Sequence, residues 1–248
     1  MSFVVPASWE ELTQQQLRKV LRLFWIYDGV ADLQMRVQVA AFLYFTGLEV
    51  AKRTEHGWLC GEKASGKMFL LDPELLPSLM QPLSWINRPE EMSCRIEQVG
   101  KYKAVDFSLQ GFLFGDYLMT ENYFQSFLLS GDSECLVGMA RLLYCVGEDE
   151  DAPELKEEVL MGCFLWFNAV KQELARQFPH FLKSTDGERG AVTRELLVEG
   201  MRAQIRLLTK GDVTKQKYIL EQIDTWTALA ELDALAKEAG EMERKYGK

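Results

Sequence analysis

Histidine and cysteine are too few and too scattered in this sequence to form a recognisable metal site. The two histidines, His56 and His180, have neither another histidine nor a cysteine at ligand spacing, and HExxH is absent. The cysteines are odd in number and form no CxxC pair; they are Cys60, Cys94, Cys135, Cys145 and Cys163. This pattern argues against a disulfide framework. We expect no metal and no cofactor, ordinary loop histidines, and reduced cysteines that act as small core residues.

Long apolar runs are also missing. The N-terminus has neither the basic start nor the apolar run of about 7 to 15 residues that a signal peptide needs. The richest apolar stretch, residues 37–45, is flanked by charge and is much shorter than the roughly 18 residues of a membrane span. We therefore predict a cytoplasmic protein that makes no membrane contact.

Positive charge is in short supply. The chain of 248 residues has 37 acidic and 28 basic side chains, which gives a net charge of −9 at pH 7. This balance argues against wholesale nucleic-acid binding, which needs a basic surface to neutralise phosphates. It favours solubility or a protein partner with basic patches. With 48% hydrophobic residues, the chain can bury a core.

Helical periodicity covers most of the sequence. A capping box at Ser8 and Glu11, or another at Thr13 and Gln16, begins a first helix that ends at Asp28. Further helices are predicted over about residues 31–46, 108–131, 133–144, 153–178, 192–209 and from about 214 toward the charged end. The predicted fold is mainly α and resembles a helical bundle.

Residues 48–105 interrupt the helical pattern. Two short apolar runs flank a turn-rich segment and predict a small β-hairpin insertion around residues 57–71. The segment 61–67 also matches the first seven positions of the phosphate-binding pattern GxxxxGK. A nucleotide loop would continue with a hydroxyl residue and a helix, whereas Met68 follows here. We interpret the segment as a hairpin turn.

An acidic run at residues 147–151, Gly-Glu-Asp-Glu-Asp, is the clearest boundary in the sequence. Like charges keep such a segment extended in water. It lacks the alternating oxygen ligands and the glycine of a calcium loop. The sequence thus predicts a helical region with the hairpin insertion over residues 1–147 and a C-terminal helical region over 152–248, or one continuous domain.

One basic stripe stands out in the C-terminal half. Arg202, Arg206 and Lys210 follow each other at intervals of four, which places them on one face of the predicted helix. Such a face can grip phosphates or an acidic partner, and most often it is simply a solvated helix surface. We take these residues as candidate partner contacts. No catalytic, cofactor or metal residues are identified.

Aromatic residues exceed what a minimal bundle needs. They include Trp25, Trp85, Trp166 and Trp226, together with the Phe and Tyr residues of 107–127. Burial in the core is the commoner use of such side chains. Some of them could instead line a groove for an apolar segment of a partner.

Three segments together resemble a known group of proteins. They are Pro-Ala-Ser-Trp-Glu-Glu-Leu-Thr at residues 6–13, Phe-Gly-Asp-Tyr to Glu-Asn-Tyr-Phe at 114–124, and Trp-Thr-Ala-Leu-Ala-Glu-Leu at 226–232 with the closing Glu-Arg-Lys-Tyr-Gly-Lys. The combination resembles proteins of prophage and phage tail gene clusters in gut bacteria. Some of these look like tail assembly chaperones, which are encoded near the tape-measure protein. The resemblance supplies no catalytic residues.

This resemblance implies a non-enzymatic, phage-tail-related assembly factor that acts by protein–protein contact. Its helical surface would shield apolar helical segments of a tail protein until assembly. The alternatives are a cytoplasmic enzyme with a site built from scattered residues, a structural component of the virion, and a nucleic-acid accessory protein that uses the basic stripe. The sequence leaves the partner and the oligomeric state open.

Overall fold

The computed structural model describes residues 3–63, 65–146, 154–182 and 193–246. Within these ranges the fold is mainly α with two small antiparallel sheets, which confirms the predicted fold class. The predicted boundary at residues 147–151 lies outside the described residues. None of the described helices combines the length and the apolarity needed to cross a bilayer.

The secondary-structure elements of the described chain are mostly α-helices. They are α1 (Gln14–Tyr27), α2 (Leu33–Thr46), β1 (Leu48–Thr54), β2 (Gly57–Glu62), β3 (Met68–Leu71), α3 (Leu76–Met80), β4 (Gln98–Val99), β5 (Tyr102–Lys103), α4 (Phe114–Ser130), α5 (Ser133–Leu143), α6 (Glu157–Gln177), α7 (Arg194–Thr209), α8 (Gln216–Gln222) and α9 (Thr225–Tyr246). Chain contacts group them into two compact units. The first unit comprises Met1–Ile96 and Glu157–Leu165, and the second comprises Glu97–Lys156 and Trp166–Lys248.

The first unit begins with the helical hairpin α1–α2. Of the two predicted capping boxes, the one at Thr13 begins α1: its hydroxyl accepts from the Gln16 N–H, and the Gln16 side chain accepts from the Thr13 N–H. Gly47, at φ 67°, ends α2 in the left-handed conformation that glycine adopts without strain. Both helix ends are therefore set by local sequence.

The predicted hairpin is present as β2 and β3, which pair antiparallel from Trp58 opposite Leu71 to Gly61 opposite Met68. The sequence did not predict β1, which pairs with the other side of β2 to complete a three-stranded sheet. Most of β1 is exposed and charged, so it lacks the apolar alternation that would have revealed it.

Tryptophan packing dominates the core of the first unit. The Trp9 ring meets Trp85 edge-on at 4.8 Å between centroids and stacks on Phe24 at 6.4 Å. The Trp85 indole N–H donates to the Pro6 carbonyl at 3.0 Å, so the N-terminal segment is held against this core. Both tryptophans are at most 5% exposed. Trp85 is therefore a core residue, whereas Trp25 of the same unit is only half-buried.

Aromatic residues fill the core of the second unit as well. Trp166 is fully buried and donates its indole N–H to the Phe107 carbonyl at 3.0 Å. The rings of Phe124 and Tyr117 both contact Phe167, at 5.5 and 6.2 Å between centroids. Trp226 donates to the Ser108 carbonyl at 2.7 Å. These rings therefore hold the described parts of the second unit together, although Trp226 is only half-buried.

The prediction of one continuous last helix from about residue 214 is wrong. Residues 223 and 224 separate α8 from α9 because they bond to the segment before α4. The Phe114 N–H donates to the Ile223 carbonyl at 2.9 Å, and the Thr225 N–H donates to the Phe112 carbonyl at 2.7 Å. The Asp224 carboxylate then accepts from the Thr227 N–H and begins α9.

Two glycines permit close approaches between helices of the second unit. A Cβ at Gly115 would lie 2.7 Å from the Leu220 carbonyl oxygen, and one at Gly138 would lie 2.5 Å from the Tyr123 ring. A backbone carbonyl cannot rotate away as a flexible side chain can. Gly115 is therefore required for the contact between α4 and α8.

We expect Gly115→Ala to lower the free energy of unfolding by about 1–3 kcal/mol, because the added methyl group forces α4 and α8 apart. Gly240→Ala is the matched control, since a Cβ there meets no described atom within 4 Å. It should raise the free energy of unfolding by about 0.5–1 kcal/mol through helix propensity. Urea unfolding of both variants tests this. Equal stability of the two variants would contradict the close contact.

Candidate functional site

Helix α7 of the second unit carries two of the three candidate partner contacts. Thr193 begins this helix by accepting from the Leu196 N–H. Arg202 and Arg206 are exposed on its outer face, one turn apart. The opposite side of the helix contacts α4, α8 and α9. The apolar line on that side is only half-buried: Leu197, Met201, Ile205 and Leu208.

The third candidate, Lys210, does not lie on this helix face, which corrects the sequence prediction. The helix ends at Thr209, and Lys210 adopts a left-handed conformation at φ 53°. Its N–H donates to the Leu207 carbonyl, and the Gly211 N–H donates to the Arg206 carbonyl, both at 3.1 Å. This closing turn is typical of a helix C-terminus before glycine and turns the chain away from the helix axis.

The outer face of α7 is mixed in charge and is not a basic stripe. A surface depression of about 680 Å³ runs along it. The described residues that line it are Arg194, Glu195, Val198, Glu199, Arg202, Ala203 and Arg206. Two glutamates thus stand among three arginines, which leaves this face with a net charge of +1. A phosphate backbone would meet repulsion as well as attraction here.

An apolar strip lies beside these charges on α7. Leu196 and Leu207 are 57% and 50% exposed, and Gly200 and Ala203 between them are exposed as well. The apolar periodicity of this helix follows Leu197, Met201, Ile205 and Leu208, and it gives no place to Leu196 and Leu207. The spacing of Leu196, Gly200, Ala203 and Leu207 was the feature of the sequence that could have revealed the strip.

The segment that resembles a phosphate-binding loop joins β2 to β3. The Glu62 N–H donates to the Lys67 carbonyl at 2.9 Å, and the Gly66 N–H donates to the Glu62 carbonyl at 2.8 Å. Lys63 forms an exposed ion pair with Glu49 of β1 at 2.8 Å. Because a strand follows Lys67, no helix N-terminus faces this loop. The structure confirms the interpretation as a hairpin turn.

The cysteines are all free thiols, and they occupy different environments. Cys60 and Cys163 are buried, as the sequence predicted for core residues, whereas Cys145 is exposed. Cys94 is half-buried and donates its thiol to the Trp9 carbonyl at 3.3 Å. Burial, with a smaller contribution from the Glu10 carboxylate, raises the pKa of Cys94 to about 12.

The histidines take part in turns. The backbone N–H groups of His180 and Phe181 donate to one carboxylate oxygen of Asp233, at 2.7 and 2.9 Å. The His56 N–H donates to the Thr54 hydroxyl at 3.3 Å. Within the described ranges, no group of three or more His, Cys, Asp or Glu side chains is placed to hold a metal ion.

A polar cluster between α4 and α6 was not predicted. The Lys171 ammonium lies 2.5 Å from a Glu121 carboxylate oxygen and 4.8 Å from the Phe124 ring centroid. Gln125 donates to the same oxygen at 2.8 Å. Burial, together with the Glu121 charge, raises the pKa of Tyr117 beyond its usual range. The cluster joins two helices of the second unit, and its interactions are internal.

The tip of the α1–α2 hairpin is an exposed apolar feature of the first unit. Ile26, Val30 and Met35 are 53%, 40% and 61% exposed, and residues 28–32 are exposed without exception. Singly exposed apolar residues are ordinary. Here Ile26 lies near the end of α1, Val30 in the connection and Met35 in the first turn of α2, so all three stand at the same end of the hairpin and make it a candidate contact surface. Sequence reasoning missed them because helical periodicity does not distinguish a helix end from its buried middle.

No family model, curated protein or solved structure matches this chain.

The raised pKa of Cys94 makes stability depend on alkaline pH. An unfolded chain releases this proton near pH 9.0, whereas the folded protein holds it to about 12. The stabilisation is complete below pH 9 and is lost as the pH rises toward 12. Between pH 8 and 10 the wild type should lose about 1.4 kcal/mol more free energy of unfolding than Cys94→Ala. Urea unfolding at the two pH values tests this; parallel losses would contradict it.

Proposed function

We propose that this protein is a non-enzymatic assembly factor related to phage tails, and that it acts by binding another protein. The observation that carries the proposal is the exposed apolar tip of the α1–α2 hairpin, formed by Ile26, Val30 and Met35. The resemblance of three segments to tail-cluster proteins suggests the class of client. The client would be a tail protein with apolar helical segments.

The tip suits a helical client because its apolar residues stand at the end of two packed helices. Burial of three such side chains contributes a few kcal/mol at about 25 cal/mol per Å² of apolar surface. Because α1 and α2 are already folded, little conformational entropy is lost when the tip is covered. A rigid apolar contact of this size supports reversible binding, which an assembly factor needs in order to release its client.

The charges around the tip indicate what else the client carries. Asp28 and Asp32 are both exposed within it. Asp32 adopts a left-handed conformation at φ 58°, and Arg36 stabilises this turn by donating its Nε–H to the Ala31 carbonyl at 2.9 Å. A non-glycine residue held in this region is a sign of a constrained surface. Two exposed carboxylates favour a client with basic residues beside its apolar segment.

The test is capture of tail proteins from the native host. The tagged protein, and a tagged Ile26→Ser/Met35→Ser variant, are recovered after prophage induction and their bound proteins are identified by mass spectrometry. We expect the wild type to enrich a tape-measure or other tail protein, and the variant to lose at least about tenfold of this enrichment, because each serine removes about 1–2 kcal/mol of apolar contact. Both residues are exposed, so the variant should fold.

Leu128→Ser/Leu129→Ser is the matched control, since these two leucines are 53% and 51% exposed on α4 in the second unit. It should capture the tail protein as the wild type does. Mass spectrometry of mature virions distinguishes an assembly factor from a structural component. An assembly factor should be absent from the particles, whereas a structural component should be present. Failure to enrich any tail protein, or equal capture by the tip variant, would overturn the proposed function.

A further inference from the structure

Four exposed residues of α7 have the spacing of a coiled-coil seam. Leu196, Gly200, Ala203 and Leu207 follow each other at steps of 4, 3 and 4 residues. At 100° per residue they fall within roughly 60° of arc, which is the narrow stripe through which paired helices meet. All four are exposed, so the described part of the chain leaves this seam uncovered.

Gly200 supplies an independent reason to expect a neighbour. Glycine inside a helix is less stable than alanine by about 0.5–1 kcal/mol. The fold of the chain itself does not require it, because a Cβ at this position would meet no described atom within 4 Å. A second helix that crosses closely at this point would require it, since small residues at the middle of a seam let two backbones approach.

The charges beside the seam identify the neighbour. Glu199 and Arg206 occupy the flanking position that directly precedes Gly200 and Leu207 in the seam. Neither of them forms an ion pair with another described residue. Glu199 stands in the first half of the helix and Arg206 in the second half. Two copies of the helix in antiparallel orientation therefore place the acid of one copy beside the base of the other.

We propose that α7 pairs in antiparallel orientation with α7 of a second copy of this chain. In this arrangement Leu196 of each copy packs against Leu207 of the other, and Gly200 lies opposite Ala203. The same two-fold axis places Glu199 of each copy across from Arg206 of the other. Antiparallel helices also bring opposite ends of their dipoles together, which stabilises the pair further.

A parallel pair does not use these features. Its flanking contacts run between Glu199 and Gln204, so no opposite charges meet. The two glycines would face each other in one layer and leave it unfilled. The antiparallel pair alternates large and small layers symmetrically and satisfies both charges.

The seam is short, and this limits its strength. The 16 residues of α7 extend for about 24 Å. An interface of this length lies below the size of a permanent dimer, and we expect dissociation constants in the micromolar range. The pairing goes beyond the proposed function and does not depend on it, since it involves neither the hairpin tip nor a client.

Sedimentation equilibrium of the purified full chain tests the proposal, over roughly 5 to 500 µM, where weak pairs become populated. We expect the average mass of the wild type to rise with concentration from 28.5 kDa toward twice that value. Leu196→Ser/Leu207→Ser should remain monomeric throughout. Circular dichroism verifies that the variant keeps its helix content, as exposed positions allow.

Charge reversal tests the orientation. Arg206→Glu alone places like charges at both Glu199–Arg206 contacts of the dimer and should weaken the dimer about tenfold. Glu199→Arg alone should do the same, and the double variant Glu199→Arg/Arg206→Glu should restore the wild-type constant. Arg202→Glu is the matched control, because it makes the same charge change away from the seam; it should shift the constant less than about twofold.

Two results would overturn the proposal. One is a wild type that stays monomeric at the highest concentration. If, in addition, the seam variants lose capture of a tail protein, the seam would be assigned to that client and not to a second copy. The other is failure of the double variant to regain the dimer that each single reversal weakens. Neither result bears on the hairpin tip, so the proposed function stands or falls separately.

Discussion

The hydrogen bonds between residues 112–114 and 223–225 determine how the second unit is built. The Thr225 N–H and hydroxyl both donate to the Phe112 carbonyl, at 2.7 and 2.8 Å, and Thr225 is fully buried. A buried polar group left without its partner costs about 1–3 kcal/mol, so this connection cannot be opened cheaply. It breaks the last helical stretch into α8 and α9, and Gly115 then allows the Leu220 backbone to approach α4. Helix α7 contacts all three of these helices on one side, and its other side is left exposed.

The features that the sequence predicted are those determined by neighbouring residues. Thr13, Gly47 and Asp132 each act within one helical turn, by capping or by adopting a conformation that few residues tolerate, and the structure places each at the predicted helix end. The hairpin β2–β3 was equally local. By contrast, the break at residue 224 results from hydrogen bonds to a segment more than a hundred positions earlier in the chain, which no local pattern contains. The Asp224 side chain, a good N-cap, was the one local sign of it.

The surface was harder to predict than the core. The apolar periodicity marks one line of α7, which includes the leucines Leu197 and Leu208 and leaves the leucines Leu196 and Leu207 unassigned. The structure divides them: Leu197 and Leu208 are half-buried, whereas Leu196 and Leu207 are at least half exposed. The four-residue spacing also predicted that Lys210 lies on the same helix face as the arginines. The structure differs because Lys210 adopts a left-handed conformation and the helix ends before it. The surplus of aromatic residues was assigned mainly to the core, with a partner groove as the alternative. Trp85, Trp166 and Phe124 are buried, whereas Trp25 and Trp226 are only half-buried.

Net charge sets a condition on self-association. Two copies that each carry −9 repel one another, and at physiological salt the repulsion extends only about 8 Å. What matters at contact is therefore the charge close to the interface. The outer face of α7 carries three arginines and two glutamates, a net charge of +1, so this surface is close to neutral in an acidic protein; these residues are Arg194, Glu195, Glu199, Arg202 and Arg206. The hairpin tip in the first unit, with Asp28 and Asp32, is locally acidic and would repel a second copy of itself. The charge on the outer face of α7 is therefore compatible with self-association, whereas the charge on the hairpin tip favours a basic partner.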